Sequence, residues 1–362
     1  MKLKSLLLSL LLLGFGCPQL MAQRAGGQQP QVKQVKRRVL KAEVGLDLSK
    51  RLVISVSIPI FLSKNTDGKT GFYLKRVGGP VLIANDEAFA FYPASTIKVM
   101  EHLHAMRRVQ SNIVSLQDSI DIWGDSCSDD HSDENPAEQD SLSDALRLMM
   151  KNSDNQRTNA IQDKFGRTAI NTTAHNVAGM SQASALNHKF GCNGPNSNPP
   201  NRLTLADVGK LYEGVAQGTF LSGATRDTFY QLMRNETDSF FIESIINSEA
   251  SSLALPAAKR NHFKSLVRIA LKSGGIPNTY DGFLYQSTAG YVSLPFAGVC
   301  SESGFAKVSP REFVYGVFID KANNINDGTI GTAASELFRT EIRSALKTWK
   351  DCRMIMNPTL SN

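Results

Sequence analysis

Three short polar segments of the sequence carry the residue types of a serine acyl-transfer site. Ser95 stands three positions before Lys98, and a Ser-Asp-Asn segment (153–155) and a Lys-Ser-Gly segment (272–274) follow in that order. A serine hydroxyl is a weak nucleophile until a neighbouring base takes its proton. A lysine amine can act as this base when burial lowers its pKa towards neutrality.

The chain around Ser95 is predicted to form the start of a helix. Residues 96–108 contain neither Gly nor Pro, and Ile97, Met100 and Leu103 recur at helical spacing. Residues three apart lie on the same face of a helix. We therefore expect the Lys98 amine to lie close to the Ser95 hydroxyl.

The three segments and their order resemble those of penicillin-binding proteins and class A β-lactamases, whose corresponding elements are S-x-x-K, S-D-N and K-[TS]-G. The resemblance extends over about residues 46–349. It implies an α/β fold of the α+β type, in which terminal helices cover a mainly antiparallel sheet and an all-helical lobe, about residues 98–223, is inserted. The hydrophobic pattern agrees with this, because it favours strands at 51–62, 72–74 and 80–83, helices at 141–151, 157–165 and 204–216, strands at 266–271, 283–295 and 311–320, and a last helix at 332–349.

By position, the resemblance implies four catalytic residues. Ser95 would be the acylated nucleophile, and Lys98 its proton-transfer partner. Ser153 would relay a proton to the leaving nitrogen, and Lys272 would supply positive charge beneath the substrate.

The resemblance also implies substrate-binding groups. Asn155 would bind the substrate amide, and Ser273 the substrate carboxylate, with Gly274 beside it. The backbone N–H groups of Gly275 and Ser95 would form the oxyanion hole, which stabilises the negative charge of the tetrahedral intermediate.

One element of the class A pattern is missing. Those enzymes carry a glutamate, after the Ser-Asp-Asn segment, that activates the deacylating water, whereas residues 164–206 contain no Asp or Glu. His188 could replace it, since imidazole titrates near neutral pH, and Glu213 is the nearest downstream glutamate. A structural role is the simpler interpretation of both. We therefore expect an acyl-enzyme formed with a β-lactam to be long-lived.

Several activities remain open on these grounds. The first is a hydrolase that forms an acyl-enzyme with β-lactams or related amides and esters. The others are a peptidoglycan D,D-peptidase, a sensor that is acylated without turnover, and an inactive interaction module. The expected partner is a small-molecule or cell-wall peptide substrate, and the oligomeric state is left open.

The start of the chain predicts export. Lys2 and Lys4 precede an apolar run of about 12 residues, too short for a stable membrane span, and cleavage is expected after Ala22. Lipidation at Cys17 is an alternative, although the preceding residues form a poor lipidation motif. The predicted compartment is therefore periplasmic or extracellular.

Charge is unevenly distributed along the sequence. The net charge is +7, but eight of the 40 basic residues and none of the 33 acidic residues precede Glu43. Residues 23–42 are therefore expected to be a disordered basic linker, with weak association to anionic surfaces as one possible role. The remaining chain has no basic excess, which argues against a nucleic-acid partner. The predicted catalytic domain spans residues 43–350, followed by a tail, 351–362.

The cysteines agree with export and do not indicate a metal site. Cys127, Cys192, Cys300 and Cys352 show no zinc-ligand spacing, and in an oxidising compartment they could form one or two disulfides in any of three pairings. The acidic stretch at 125–134 lacks the calcium-loop pattern. No cofactor or metal is predicted.

Overall fold

The computed structural model describes residues 48–234, 240–298, 304–352 and 354–356. The predicted export signal, the basic linker and most of the predicted C-terminal tail lie outside these residues. In chain order the elements are α1 (Leu48–Asn65), β1 (Lys69–Arg76), β2 (Val81–Asn85), α2 (Lys98–Gln110), β3 (Ser119–Ile122), β4 (Glu138–Ser141), α3 (Leu142–Lys151), α4 (Asn155–Phe165), α5 (Arg167–Thr172), α6 (Leu205–Ala216), α7 (Gly223–Met233), α8 (Phe240–Ser252), α9 (Ala257–Leu266), β5 (Arg268–Ile276), β6 (Leu284–Ala297), β7 (Phe305–Ala322), α10 (Thr329–Leu337), α11 (Arg339–Lys350) and β8 (Met354–Met356).

The sheet that carries the Lys-Ser-Gly segment pairs early strands with late ones. Its order is β2-β1-β7-β6-β5, with all neighbours antiparallel, and β8 adds to β7 in parallel. Helices α2 to α7 form the inserted lobe, which also contains the small antiparallel pair β3-β4, whereas α8 and α9 pack with the terminal helices. The predicted fold class, a mainly antiparallel sheet with a helical insertion, is confirmed.

Both faces of the sheet are buried, as the alternation along β7 shows. Phe313, Tyr315 and Val317 pack with the terminal helices in one hydrophobic cluster, whereas Val314 and Phe318 pack with the helical lobe in another. Successive residues of a strand point to opposite faces. The sheet is therefore the common wall between the two layers of helices.

The strand predicted at residues 51–62 is wrong, because this run forms most of α1. Ile58 and Leu62 are 1% and 0% exposed, while Ile60 between them is 48% exposed. Burial therefore repeats every four residues, which is the period of a helix and not of a strand. The β-branched composition suggested a strand, but packing against the buried face of the terminal helices decided the conformation.

Two further sequence-based boundaries differ from the structure. The single last helix predicted at 332–349 is two helices, α10 and α11, which meet at Phe338, a fully buried residue. Three helices were not predicted: α7, which belongs to the lobe, and α8 and α9, which precede β5. Within the described residues, no helix is both long and apolar enough to cross a membrane.

Candidate active site

Ser95 lies in a 3-10 turn (Ala94–Ile97) that leads directly into α2. Its side chain is partly exposed, whereas Thr96 beneath it is fully buried. The Thr96 hydroxyl donates to the Lys272 carbonyl oxygen (3.2 Å) and lies 2.7 Å from the Ser287 hydroxyl, which in turn donates to the Pro93 carbonyl (2.6 Å). These bonds fix the serine turn against β5 and β6.

Gly274 brings β5 into contact with the backbone of Ser95. A Cβ at position 274 would collide with the Ser95 amide nitrogen and would lie 2.9 Å from the Ala94 Cβ. Only glycine allows so close an approach here. Gly275, the next residue, pairs with Gln286 of β6, so the two residues that the resemblance assigns to the oxyanion hole belong to adjoining backbone segments.

Lys98 opens α2 and is completely buried. Its amine donates to the Ser153 carbonyl (2.8 Å), to the Asn155 Oδ1 (2.7 Å) and, at 3.4 Å, to the Asp154 carbonyl. Within the described part of the chain, none of its hydrogen bonds goes to the Ser95 hydroxyl. The amine of Lys98, a residue one helical turn after Ser95, is therefore hydrogen-bonded to the Ser-Asp-Asn segment.

Burial also changes the proton affinity of the Lys98 amine. Loss of hydration, and secondarily the positive charge of Lys272, lowers its pKa to about 7, against the weaker opposing effects of Glu101 and Asp154. About half of the amine is then unprotonated at neutral pH. An amine in this state can accept a proton from a serine hydroxyl.

The Ser-Asp-Asn segment lies between α3 and α4. Ser153 has a left-handed backbone (φ +59°), which is uncommon for a residue other than glycine. Asp154 caps α4 by accepting from the Arg157 backbone N–H (2.9 Å). This turn presents the Ser153 carbonyl and the Asn155 side chain to Lys98.

The Lys-Ser-Gly segment adds a second buried amine and an exposed hydroxyl. Lys272 is 3% exposed, and its amine donates to the Ser273 carbonyl (2.7 Å). The Ser273 hydroxyl donates to the Thr288 hydroxyl of β6 (3.1 Å). The structure therefore brings all three sequence segments together around Ser95 and Lys98.

An aromatic ring, that of Phe190, lies over the Lys98 amine. The amine lies 4.8 Å from the centre of the Phe190 ring. The Asn159 side chain holds the Phe190 backbone, accepting from its N–H (2.7 Å) and donating to its carbonyl (2.9 Å). Sequence reasoning assigned no role to Phe190, since nothing local marks a phenylalanine in a loop as a neighbour of a distant lysine.

The two residues considered as replacement bases have structural partners. His188 stacks on Tyr92, with ring centres 6.3 Å apart, and its Nδ1 lies 2.7 Å from the Lys189 carbonyl oxygen. Burial lowers its pKa. Glu213 forms an ion pair with Lys75 and accepts from the Gly78 N–H.

Glu101 is a buried carboxyl that sequence reasoning also missed. It is completely buried on α2, three residues after Lys98, and accepts from the Gln162 amide (3.1 Å). Burial raises its pKa to about 8. The available signal was an acidic residue on the face of α2 that also carries Lys98. No group of side chains suited to hold a metal ion occurs among the described residues.

Comparisons with known proteins identify the family of this chain. A model of the beta-lactamase enzyme family matches residues 57–340, so the chain belongs to that family. It has the fold of the β-lactamase-like serine hydrolases.

Solved structures of the same fold share little sequence with this chain. PBP-A is 19% identical (TM-score 0.58), with 80% of this chain and 96% of that chain covered. A beta-lactamase from Chitinophaga pinensis is 16% identical (TM-score 0.58; 81% and 98% covered), and the TLA-1 extended-spectrum beta-lactamase is 14% identical (TM-score 0.59; 83% and 98%). No curated protein sequence matches.

Proposed function

We propose that this protein is an exported serine hydrolase that forms a long-lived acyl-enzyme on Ser95 with β-lactams or related amides and esters. The observation that supports the proposal most directly is the aromatic ring of Phe190 over the Lys98 amine. The meeting of the three polar segments around Ser95 and Lys98 supports acylation, and the phenylalanine over the amine, in place of a carboxylate that could activate water, supports slow deacylation.

Acylation proceeds through a proton transfer that the buried amine makes possible. The neutral Lys98 amine takes the Ser95 hydroxyl proton while the oxygen attacks the lactam carbonyl carbon. The backbone N–H groups of Ser95 and Gly275 stabilise the oxyanion. The carbon–nitrogen bond then breaks, and Ser153 relays the proton held by Lys98 to the leaving nitrogen, which leaves the amine neutral again. Lys272 and Ser273 bind the substrate carboxylate.

Deacylation is slow because the carboxylates near the amine are engaged. Glu101 is buried against Gln162, and Asp154 caps α4. A general base contributes about 10²–10⁴-fold to a proton-transfer step. Without a carboxylate placed to activate water, hydrolysis of the ester is slower by up to about that factor.

A single experiment tests both halves of the proposal. The purified protein is mixed with a fluorescent penicillin and with nitrocefin, and the adduct is followed by intact mass. We expect one stable label per chain that is absent from Ser95→Ala. Rapid, sustained nitrocefin turnover would refute slow deacylation, and absence of any adduct would refute acylation.

A peptidoglycan D,D-peptidase is the second candidate, and the same Phe190 contact supports it. Such a peptidase acylates on a D-Ala-D-Ala peptide and retains a β-lactam. Release of D-alanine from an acyl-D-Ala-D-Ala peptide by wild type, and not by Ser95→Ala, would distinguish it from an acylated sensor.

A further inference from the structure

The position of Phe190 depends on a loop that has little regular structure of its own. A bridge between Ala185 and Arg202 closes the base of this loop, residues 186–201. A short 3-10 turn (Gly194–Asn196) is its one helical element. Its placement over Lys98 must therefore come from side-chain and covalent links to other parts of the chain.

Three contacts that hold the loop, one of them through Asn159 of α4, converge on three consecutive residues of the β3–β4 connection. The Asn159 amide, which also holds Phe190, donates to the Ser126 carbonyl (3.0 Å). Cys192, two residues after Phe190, forms a disulfide with Cys127, their Cα atoms 5.8 Å apart. The Lys189 amine, one residue before Phe190, donates to the Ser128 carbonyl. We call residues 126–128 the anchor segment.

The disulfide is the one covalent link of the three. Lys189 is buried and also pairs with Asp163 of α4 (2.6 Å), so its amine has two anchors. The other links are hydrogen bonds and ion pairs, which water can replace when the loop moves. The bond between Cys127 and Cys192 holds the loop to the anchor segment whether or not those contacts persist.

On the proposed function, we infer that the Cys127–Cys192 disulfide keeps the Phe190 ring over the Lys98 amine and thereby sets the lifetime of the acyl-enzyme. Both cysteines act as positioning residues, since neither is placed among the groups that react. With the disulfide intact, the ring excludes water from the space beside the amine. With it open, the loop loses its covalent anchor and water enters.

Entry of water completes a deacylation step that the closed loop prevents. The neutral Lys98 amine takes a proton from a water molecule while the oxygen of that water attacks the ester carbonyl carbon. The bond between that carbon and the Ser95 oxygen breaks, and the amine returns the proton to that oxygen. Opening the disulfide itself takes two electrons and two protons from a reductant and leaves two thiols.

In the test, the full chain is acylated with benzylpenicillin before the disulfide is reduced. Oxidised protein is labelled with benzylpenicillin, freed of excess reagent and divided, and one half receives tris(2-carboxyethyl)phosphine, which is oxidised to its phosphine oxide. Loss of the adduct is followed by intact mass. We expect release at least fivefold faster in the reduced half. Equal half-lives, with both thiols shown free by alkylation, would overturn the inference.

Two variants separate this disulfide from the other one. Cys352 is also disulfide-bonded, so Cys352→Ser should respond to the reductant as wild type does. The double variant Cys127→Ser/Cys192→Ser should release the adduct rapidly without reductant and show no further response. A double variant with the wild-type lifetime would contradict the inference.

Loss of structure cannot imitate the expected result. An unfolded chain has no assembled site and keeps its ester, so faster release requires a folded protein. Near-ultraviolet circular dichroism of the reduced acyl-enzyme checks this directly. Failure to form an adduct with the oxidised protein would defeat the proposed function itself, whereas an adduct indifferent to reduction defeats only the role of the disulfide.

Discussion

Replacing Phe190 by glutamate should speed up hydrolysis of the acyl-enzyme, so that the protein turns over β-lactams instead of retaining them. The ring centre lies 4.8 Å from the Lys98 amine, so a carboxylate in its place comes within reach of a water molecule beside the ester. A correctly placed general base contributes about 10²–10⁴-fold. We expect deacylation of Phe190→Glu to accelerate by a factor in that range.

The same carboxylate should slow acylation. Two unit charges about 5 Å apart at an effective dielectric constant of about 20 attract with roughly 3 kcal/mol, which corresponds to about two pKa units. The pKa of Lys98, now about 7, would rise to roughly 9 by this reasoning. The unprotonated fraction at pH 7 would then fall from about a half to about 1%, and acylation would slow by tens of fold.

The assay measures both rates on one preparation. Adduct formation and loss on mixing with benzylpenicillin are followed by intact mass, and turnover by nitrocefin hydrolysis. Phe190→Gln has nearly the shape of the glutamate variant without its charge and is the matched control. It should leave acylation unchanged, and any gain in its deacylation rate measures removal of the ring alone, so the additional gain in Phe190→Glu measures the carboxylate. If Phe190→Glu is folded and acylated yet keeps the wild-type lifetime, Phe190 does not occupy the position from which water is activated.

Three further predictions follow from the groups around the site. The acylation rate should rise about tenfold per pH unit up to about pH 7 and then level off, because only the neutral Lys98 amine accepts a proton; a rate independent of pH between 5 and 8 would contradict this role. Gly274→Ala should reduce acylation at least 100-fold with little loss of secondary structure, because its methyl group would displace the Ser95 amide; the adduct assay and circular dichroism check this, and a wild-type rate would exclude the close approach. Glu101, whose pKa burial raises to about 8 from the ordinary value of 4.5, stays protonated in the folded chain while the unfolded chain ionises, so stability should fall as pH rises from about 4.5 to about 8. Glu101→Gln should flatten that fall and raise the melting temperature at pH 7.5 by a few degrees; thermal melts that show the wild-type slope would refute this account.

The sequence pattern was sufficient to predict a helix where the capping residue and the hydrophobic periodicity lie within one short segment. The helices at 141–151, 157–165 and 204–216 were predicted to within two residues, because each begins near a capping side chain and shows helical periodicity. The same method failed at 51–62, where β-branched residues suggested a strand. There the buried positions Ile58 and Leu62 are defined by contacts with helices from the other end of the chain.

The three polar segments, their order and the lack of an acidic residue between 164 and 206 could be read directly from the chain, and they were sufficient to indicate a β-lactamase-like fold. Three features became visible only in the folded chain: Phe190 lies over the Lys98 amine, Glu101 is buried beside Gln162, and Cys127 pairs with Cys192. Motifs and periodicity are local properties of a chain. Which loop residue faces a buried amine, and which two cysteines meet, depends on packing between segments that are distant in sequence, and no local pattern encodes it.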